Sequence, residues 1–592
     1  MCGFVGFTNC IDDSNKALEN MMNRIIHRGP DSGGSYIDGD IALGFRRLSI
    51  IDLEQGDQPI LNEDSSKILL FNGEIYNFRS IREKLVEAGH IFKTKTDSEV
   101  LLHGYEEYGK NLLNMLRGMF AFVIWDKNTK ELFGARDFFG IKPLYYSLSG
   151  KSFLFGSEIK SFLPHPHFKK ELNTAALENY LTFQYSPQTE CFFKNVYKLP
   201  AAHCFTYKNG ELNIERYWEI KFEADEKPDL ESWVNKISDT FHDSVEAHKI
   251  ADVEVGSFLS SGVDSSYVAA VADVDKTFTV GFGKDEKYNE IGWAKEFSKA
   301  IGKENTSKVI SPEEYWGSLE KIQYHMDEPL ADPAAVALYF VCNIASQKLK
   351  VVLSGEGADE IFGGYPWFRE KKAFETHGFP WCYDLSIRNN ILLDSVRKTL
   401  DIDNYSRMRY EESIAEVPTF DGDNDEEKRR REISYLNINW FMTNLLDRKD
   451  RMSMASGLEV RVPFCDHRIA RYAFNIPWEI KAAGGREKGI VRRAMKGILP
   501  DDVLWRKKSP YPKTHNPTYL AEVIRRMRAV LADKDCRLTE IVSREKLLRL
   551  CDDPTLFEGN WYGQLMTSPQ IFAYLLQIEY WLRRYDVRID RQ

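Results

Sequence analysis

From Val253 onward, buried-type strands and amphipathic helices take turns along the chain, and this alternation restricts the fold more than any other feature. Strands are expected at Val253–Leu259, Lys276–Phe282, Ser307–Ile310 and Lys350–Ser354. Helices are expected at Leu230–Ala247, Glu290–Ala300, Pro312–Met326 and Pro333–Lys348. Strands joined by helical crossovers run parallel, and helices then cover the sheet on both faces. Ahead of Asp229 the pattern is different. Cys2–Phe7, Ile41–Ile50, Lys67–Asn72, Met119–Trp125 and Leu132–Ala135 read as strands, interrupted by helices near Phe78–Ala88 and Ser98–Leu116. Asp126-Lys127-Asn128-Thr129 is a polar turn that would join the last two strands as a hairpin. The expected class is α/β, with an α+β first part. It comprises a sheet-rich layered domain at 2–210, a parallel-sheet domain at 228–592, and a mostly helical stretch from about Tyr365. Asp423–Glu432, acidic first and basic later, suits a helix dipole and reads as a solvated helix face.

Composition removes several function classes. The net charge of -10 counts against a nucleic-acid partner, because phosphate binding needs a basic face. No apolar run approaches a membrane span, Met119–Trp125 being too short, so no membrane partner is expected. The N-terminus lacks the basic and apolar regions of a signal peptide. Nine cysteines without CxxC spacing point to a reducing cytoplasm, with neither a disulfide framework nor a zinc site.

Met1-Cys2-Gly3 opens the chain. With Met1 removed, Cys2 carries a thiol and a free α-amine, and an amine of pKa ~8 can serve as base for its own side chain. Alone, Cys2 would read as a buried cysteine at the start of a strand. It is followed, however, by His27-Arg28-Gly29-Pro30-Asp31, Arg47-Leu48-Ser49-Ile50, Asn72-Gly73-Glu74-Ile75-Tyr76-Asn77 and Thr96-Asp97-Ser98-Glu99. In that order these segments resemble the class II (N-terminal nucleophile) glutamine amidotransferases. The resemblance implies an N-terminal nucleophile hydrolase sandwich that binds glutamine, with Arg47, Leu48, Ser49 and Ile50 against the substrate. Arg47 is suited to the α-carboxylate. Asp97, with Glu74, is suited to the α-ammonium. The Asn72 side chain and the Gly73 N–H would stabilise the tetrahedral oxyanion. Arg28 and Asp31 are expected to form an internal salt bridge.

The second half has no GxxxxGK[ST] loop, and Ser149-Gly150-Lys151-Ser152 reads as a hairpin turn. The stronger signal is Phe258-Leu259-Ser260-Ser261-Gly262-Val263-Asp264-Ser265-Ser266, where a strand enters a small-residue loop and then a helix. Backbone N–H groups and the hydroxyls of Ser260, Ser265 and Ser266 can face an anion there. Asp264 would repel phosphate unless it holds Mg²⁺. The segment resembles the pyrophosphate loop of ATP pyrophosphatases, with Ser261 where a glycine is usual. Leu353-Ser354-Gly355-Glu356-Gly357-Ala358-Asp359-Glu360 repeats the pattern at the end of another strand. Asp359 is a second candidate Mg²⁺ ligand, and Glu356 a candidate base or orienting group for ammonia.

Together these segments resemble the asparagine synthetases (glutamine-hydrolysing), as do Asp327-Glu328-Pro329, Asp332-Pro333-Ala334 and the run from Asp450 to Asp466. The resemblance implies that Leu259 and Val280 frame the adenosine, that Ser354 and Gly355 contact the nucleotide with Ser260, Gly262, Ser265 and Ser266, and that Lys488 stabilises charge on the α-phosphate. It implies ATP, Mg²⁺, glutamine and aspartate as ligands, a homodimeric assembly and a cytoplasmic location. The alternative keeps the chemistry but puts it on another carboxylate, such as a cell-wall precursor. A glutaminase with an inactive ATP half is disfavoured by the retained Asp264, Asp359, Glu356 and Lys488. A tRNA-modifying pyrophosphatase shares only the loop.

Overall fold

The computed structural model describes residues 2–589 except 187–188, 222–228, 261, 283–289, 331, 333, 383, 421, 507–516, 557–560 and 564–565. The first half is built on two antiparallel sheets. In the first, β1 (Gly3–Thr8) lies between β3 (Ile41–Arg47) and β9 (Ser152–Gly156), flanked by β2 (Ser32–Ile37) beside β3 and by β8 (Tyr145–Ser149) and β10 (Val196–Lys198) beyond β9. The second sheet orders as β12 (Glu211–Arg216), β11 (His203–Lys208), β7 (Glu131–Arg136), β6 (Gly118–Asp126), β5 (Lys67–Ile75) and β4 (Ile60–Leu61). Alternate residues of each strand face inward and fuse the sheets: Phe4, Leu43 and Phe45 of one meet Leu70, Val123 and Leu132 of the other, all at most 1% exposed. The outer face of the first sheet packs on α1 (Ser14–Asn23) and α4 (Thr174–Phe183), and that of the second on α2 (Phe78–Glu87) and α3 (Asp97–Tyr108). The result is the layered sandwich expected of an N-terminal nucleophile hydrolase.

The second half carries five parallel strands in the order β15 (Glu304–Ile310), β14 (Lys276–Phe282), β13 (Val255–Phe258), β16 (Val351–Leu353) and β17 (Glu459–Arg461). Helix α5 (Leu230–His248) leads into β13, and α6 (Val263–Ala272), α7 (Glu290–Ala300), α8 (Pro312–Met326) and α9 (Ala334–Ser346) supply crossovers. Ser311 caps α8 with a capping box to Glu314, which is why this helix starts at Pro312 as read from the sequence. Strand order reverses between β13 and β16, so the loops leaving their C-terminal ends splay apart around a crevice.

Several spans differ from expectation for local reasons. The strand expected to continue to Ile50 ends at Arg47, where the Ser49 N–H turns to the Asp31 carboxylate at 2.8 Å. The helix expected over Ser98–Leu116 stops at Tyr108; Gly109 takes φ +54°, and Gly109–Asn114 continues as a tighter 3₁₀ turn. The charged stretch expected as a solvated face is a helix over Asp425–Leu436 with Arg429 and Arg431 buried. Arg429 donates to the carbonyls of Ala373, Thr376 and Gly378 at 3.0, 2.9 and 3.1 Å, so the basic end of that stretch ties neighbouring segments together. The hairpin turn at Ser149–Ser152 is present, with those two residues paired.

The halves meet across a buried ionic seam. Arg28 does not pair with Asp31. It holds Asp450 through two nitrogens at 2.8 and 3.2 Å and Glu158 at 2.9 Å, while Asp31 pairs with Lys350 at 2.6 Å. Arg451 binds Asp327 at 3.0 Å, and Asp327 also takes the Ile159 N–H at 2.8 Å. The Asp327-Glu328 pair and Asp450-Arg451 therefore join the halves, and the Phe192 N–H completes the set by donating to Glu328 at 2.6 Å.

Candidate active site

Cys2 directly precedes β1, so the sheet fixes its backbone. Its N–H donates to Asn72 Oδ1 at 3.1 Å, and its Sγ lies 3.8 Å from the Leu48 carbonyl. Burial pushes the thiol pKa up, so a base must take its proton before it can attack. Asn72 is fully buried on β5. With Oδ1 engaged by Cys2, its Nδ2 has no hydrogen-bond partner. A buried amide donor costs free energy when unpaired, so one left open beside a nucleophile is a ready oxyanion donor. Gly73 follows, and a Cβ there would stand 2.1 Å from the Met119 carbonyl, so any side chain would break the β5–β6 ladder beside the nucleophile.

Arg47 is buried at the end of β3. Its Nη1 donates to the Leu53 carbonyl and Asp57, and its Nη2 to the Ile51 and Asp52 carbonyls, all at 2.5–3.3 Å. It thus anchors the loop that follows Ile50, and a substrate carboxylate would take over from Asp57. Asp97, in the first turn of α3, accepts the Ile75 N–H at 2.9 Å, and burial raises its pKa to about 6. Leu48 and Ile50 pack with Val351 of the other half.

Glu74 makes an unexpected contact. Its Oε1 lies 3.2 Å from Arg461 Nη2 of β17, and Arg461 also holds Glu459 at 2.5 Å. Burial drives the Glu74 pKa up, since Arg461 is shared with a second buried carboxylate. Residues of the parallel sheet thus reach the first site. Sequence reading placed the Asp450–Asp466 run without a role for these two. The available signal was two charges spaced i, i+2 in a short strand, which places them on one face of a sheet interior.

The crevice at the β13/β16 switch collects the second group. In the first loop the Ser260 N–H donates to Ser265 Oγ at 3.0 Å, the two hydroxyls stand 2.8 Å apart, and Gly262 N–H donates to Ser260 Oγ at 3.0 Å before α6 begins. Ser266 is buried in the first turn of α6. Ser261 lies outside the described residues. The second loop comes against the first because Gly355 has no side chain: a Cβ there would be 2.8 Å from Ser265 N. Ser354 N–H donates to the Arg461 carbonyl at 2.9 Å. Leu259 is buried, its N–H donating to the Phe278 carbonyl at 2.9 Å, two residues before Val280 on β14.

Lys488 Nζ meets Asp264 at 2.5 Å and Asp359 at 2.8 Å. Burial alone would lower its pKa, but the two carboxylates reverse this and raise it, so it stays an ammonium. Asp264 and Asp359 stand in the first turns of two helices that face each other across Lys488, and paired carboxylate oxygens are donors that suit Mg²⁺. Glu356 pairs with Lys449 at 2.7 Å and Arg448 at 3.3 Å. Burial opposes its ionisation, yet these cations win and hold its pKa below the usual range. Glu356 is therefore a fixed negative charge rather than a strong base. Arg448 and Lys449 were not expected from the sequence. They share the helix Met442–Met454 with Asp450, which ties the region around Glu356 to Arg28 behind Cys2.

Comparison with known proteins agrees with this arrangement. Residues 236–583 match the asparagine synthase family, and residues 1–218 match the glutamine amidotransferase domain family. The chain is 39% identical to glutamine-hydrolyzing asparagine synthetase 3 of Bacillus subtilis over the whole of both chains. It is also 39% identical to glutamine-hydrolyzing asparagine synthetase 1 of that organism, covering 86% of this chain and 87% of the relative. A putative glutamine-hydrolyzing asparagine synthetase of Mycobacterium bovis is 33% identical, with 86% and 87% covered.

Proposed function

The chain belongs to the asparagine synthase family, and from that premise we propose how its residues divide the work. The protein is a glutamine-hydrolysing asparagine synthetase: it uses ATP to amidate aspartate with ammonia taken from glutamine. Free of Met1, Cys2 passes its thiol proton to its own α-amine, and Sγ attacks the glutamine amide carbon. Asn72 Nδ2 and the Gly73 N–H hold the oxyanion, the amine proton goes to the departing nitrogen, and ammonia leaves. Water then cleaves the thioester to glutamate. Arg47 holds the α-carboxylate of glutamine, in the groove of Leu48, Ser49 and Ile50. Asp97 and Glu74 hold its α-ammonium.

In the second site the ATP adenosine lies between Leu259 and Val280, and its phosphates face Ser260, Gly262, Ser265, Ser266, Ser354 and Gly355. Asp264 and Asp359 would hold Mg²⁺, which neutralises charge on the departing pyrophosphate. The aspartate side-chain carboxylate attacks the α-phosphorus to give β-aspartyl-AMP, with Lys488 against the developing negative charge. Ammonia then attacks the acyl carbon and AMP leaves. Glu356 holds the incoming nitrogen and balances the positive charge it acquires until the extra proton passes to the departing AMP phosphate. Ammonia must travel between the sites without meeting bulk water, which would protonate it. The assembly is a homodimer in the cytoplasm.

The unpartnered Asn72 Nδ2 beside Cys2 carries the first half of this reading. Purified protein given glutamine, MgATP and aspartate should form asparagine, AMP and pyrophosphate in equal amounts. Formation of ADP, or AMP release that aspartate does not stimulate, would count against it.

A further inference from the structure

Outside both reaction sites, three separate segments converge beside α3. Glu63 from the turn after β4, His90 from the α2–α3 connection, and His103 and Glu106 from α3 each offer one ligand atom, all within 4.8 Å of one another. His103 Nδ1 lies 2.9 Å from Glu106 and 3.3 Å from Glu63, and His90 Nδ1 lies 3.4 Å from Glu63. These three separations are near the roughly 3.3 Å between donors about 2.0–2.1 Å from a tetrahedral zinc ion, the two contacts of Glu63 using its two different oxygens, and the wider separations, up to 4.8 Å, would close on a bound ion.

Two further features point to a ligand. His103 is 1% exposed, and its Nε2 has no hydrogen-bond partner, lying 3.7 Å from Glu99. Glu99 is itself fixed by the N–H groups of Lys93 and Thr94 at 2.8 and 2.7 Å and by the Thr94 hydroxyl at 2.7 Å. A metal-bound histidine commonly turns its other nitrogen to such a braced carboxylate. Asn62 likewise donates to Glu106 Oε1 at 2.6 Å, leaving Oε2 for the cluster. Glu63, Glu99, Glu106 and Glu107 surround the two imidazoles, and among the described ion pairs none of them reaches a lysine or arginine.

We propose that Glu63, His90, His103 and Glu106 form a site for a zinc-class divalent cation, which pins the α2–α3 connection to the helix whose first turn carries Asp97. The expectation of no zinc site rested on cysteine spacing, which a His/Glu donor set escapes. The test uses the full chain, stripped by chelator and kept in excess Mg²⁺ so that the crevice carboxylates are already served. Co²⁺ and Zn²⁺ are titrated in, reading the visible absorption of tetrahedral cobalt and the thermal midpoint. One equivalent should bind with the tetrahedral cobalt spectrum, and Zn²⁺ should raise the midpoint. Glu63→Gln, at an exposed residue whose loss leaves packing intact, and His90→Ala should each weaken binding by ~10-fold or more. The absence of a tetrahedral cobalt spectrum, or binding that both variants retain in full, would overturn the proposal and leave a cluster held together by protons alone.

Discussion

Arg461 Nη2 lies 3.2 Å from Glu74 Oε1, a contact between the last strand of the parallel sheet and the strand that carries Asn72 and Gly73 beside Cys2. Arg461 is fully buried and also serves Glu459. Removing it would take the shared guanidinium from two buried carboxylates, at a cost of about 3–5 kcal/mol. Arg461→Leu should therefore lower the thermal midpoint sharply. Arg461→Lys keeps the charge but cannot span both carboxylates. It should raise KM for glutamine while ammonia-dependent asparagine formation stays close to the parent, and steady-state kinetics with the two nitrogen sources will separate these effects.

Asn72→Ala removes the open amide donor beside Cys2. The expected loss is ~10²–10³ in kcat for glutamine hydrolysis, the usual worth of one oxyanion-hole donor. Aspartate-dependent AMP formation with ammonium salts should be unaffected. Glutaminase and ammonia-dependent assays on the same preparation will check this.

Asp97 gives the pH profile its acid limb. Its pKa is raised to about 6 by burial, and the ionised form is the one that attracts an ammonium. kcat/KM for glutamine should thus fall in two stages on acidification, first as the Cys2 α-amine takes a proton at ~8, then along the Asp97 limb as pH drops through about 6. Asp97→Asn should raise KM and abolish the limb. A limb that persists in the variant belongs to another group.

Lys488 sits where Asp264 and Asp359 would otherwise repel each other. Lys488→Met should stop ATP–pyrophosphate exchange and make the thermal midpoint depend on MgCl₂, because the divalent ion becomes the remaining charge between the carboxylates. Asp264→Asn should stop the exchange too. Both variants should still hydrolyse glutamine.

Elements set by local signals were readable in the sequence. Lys276–Phe282, Glu290–Ala300 and Pro312–Met326 appear with the limits read from period and caps. The strand-to-helix passage around Ser260 was legible too, since β13 ends at Phe258 and a helix begins at Val263. Pairings across the chain were not. Arg28 and Asp31 are three residues apart and read as partners, but a 3₁₀ turn at Ile26–Arg28 aims Arg28 inward to Asp450, and Asp31 faces Lys350. A short-range opposite charge is a weak guide when a buried carboxylate is offered from another segment, because the buried ion pays the larger desolvation cost and takes the better partner. The partners of Glu356 were hidden for the same reason, since Arg448 and Lys449 come from a distant helix.

The central claim is that two sites work in series on one nitrogen atom. Cys2→Ala protein, assayed with MgATP and aspartate, tests it most directly when glutamine and ammonium chloride are compared as nitrogen donors and asparagine is quantified. The account predicts no asparagine from glutamine and near-parental asparagine from ammonium. Asparagine formed from glutamine by the variant, or none from ammonium, would contradict it.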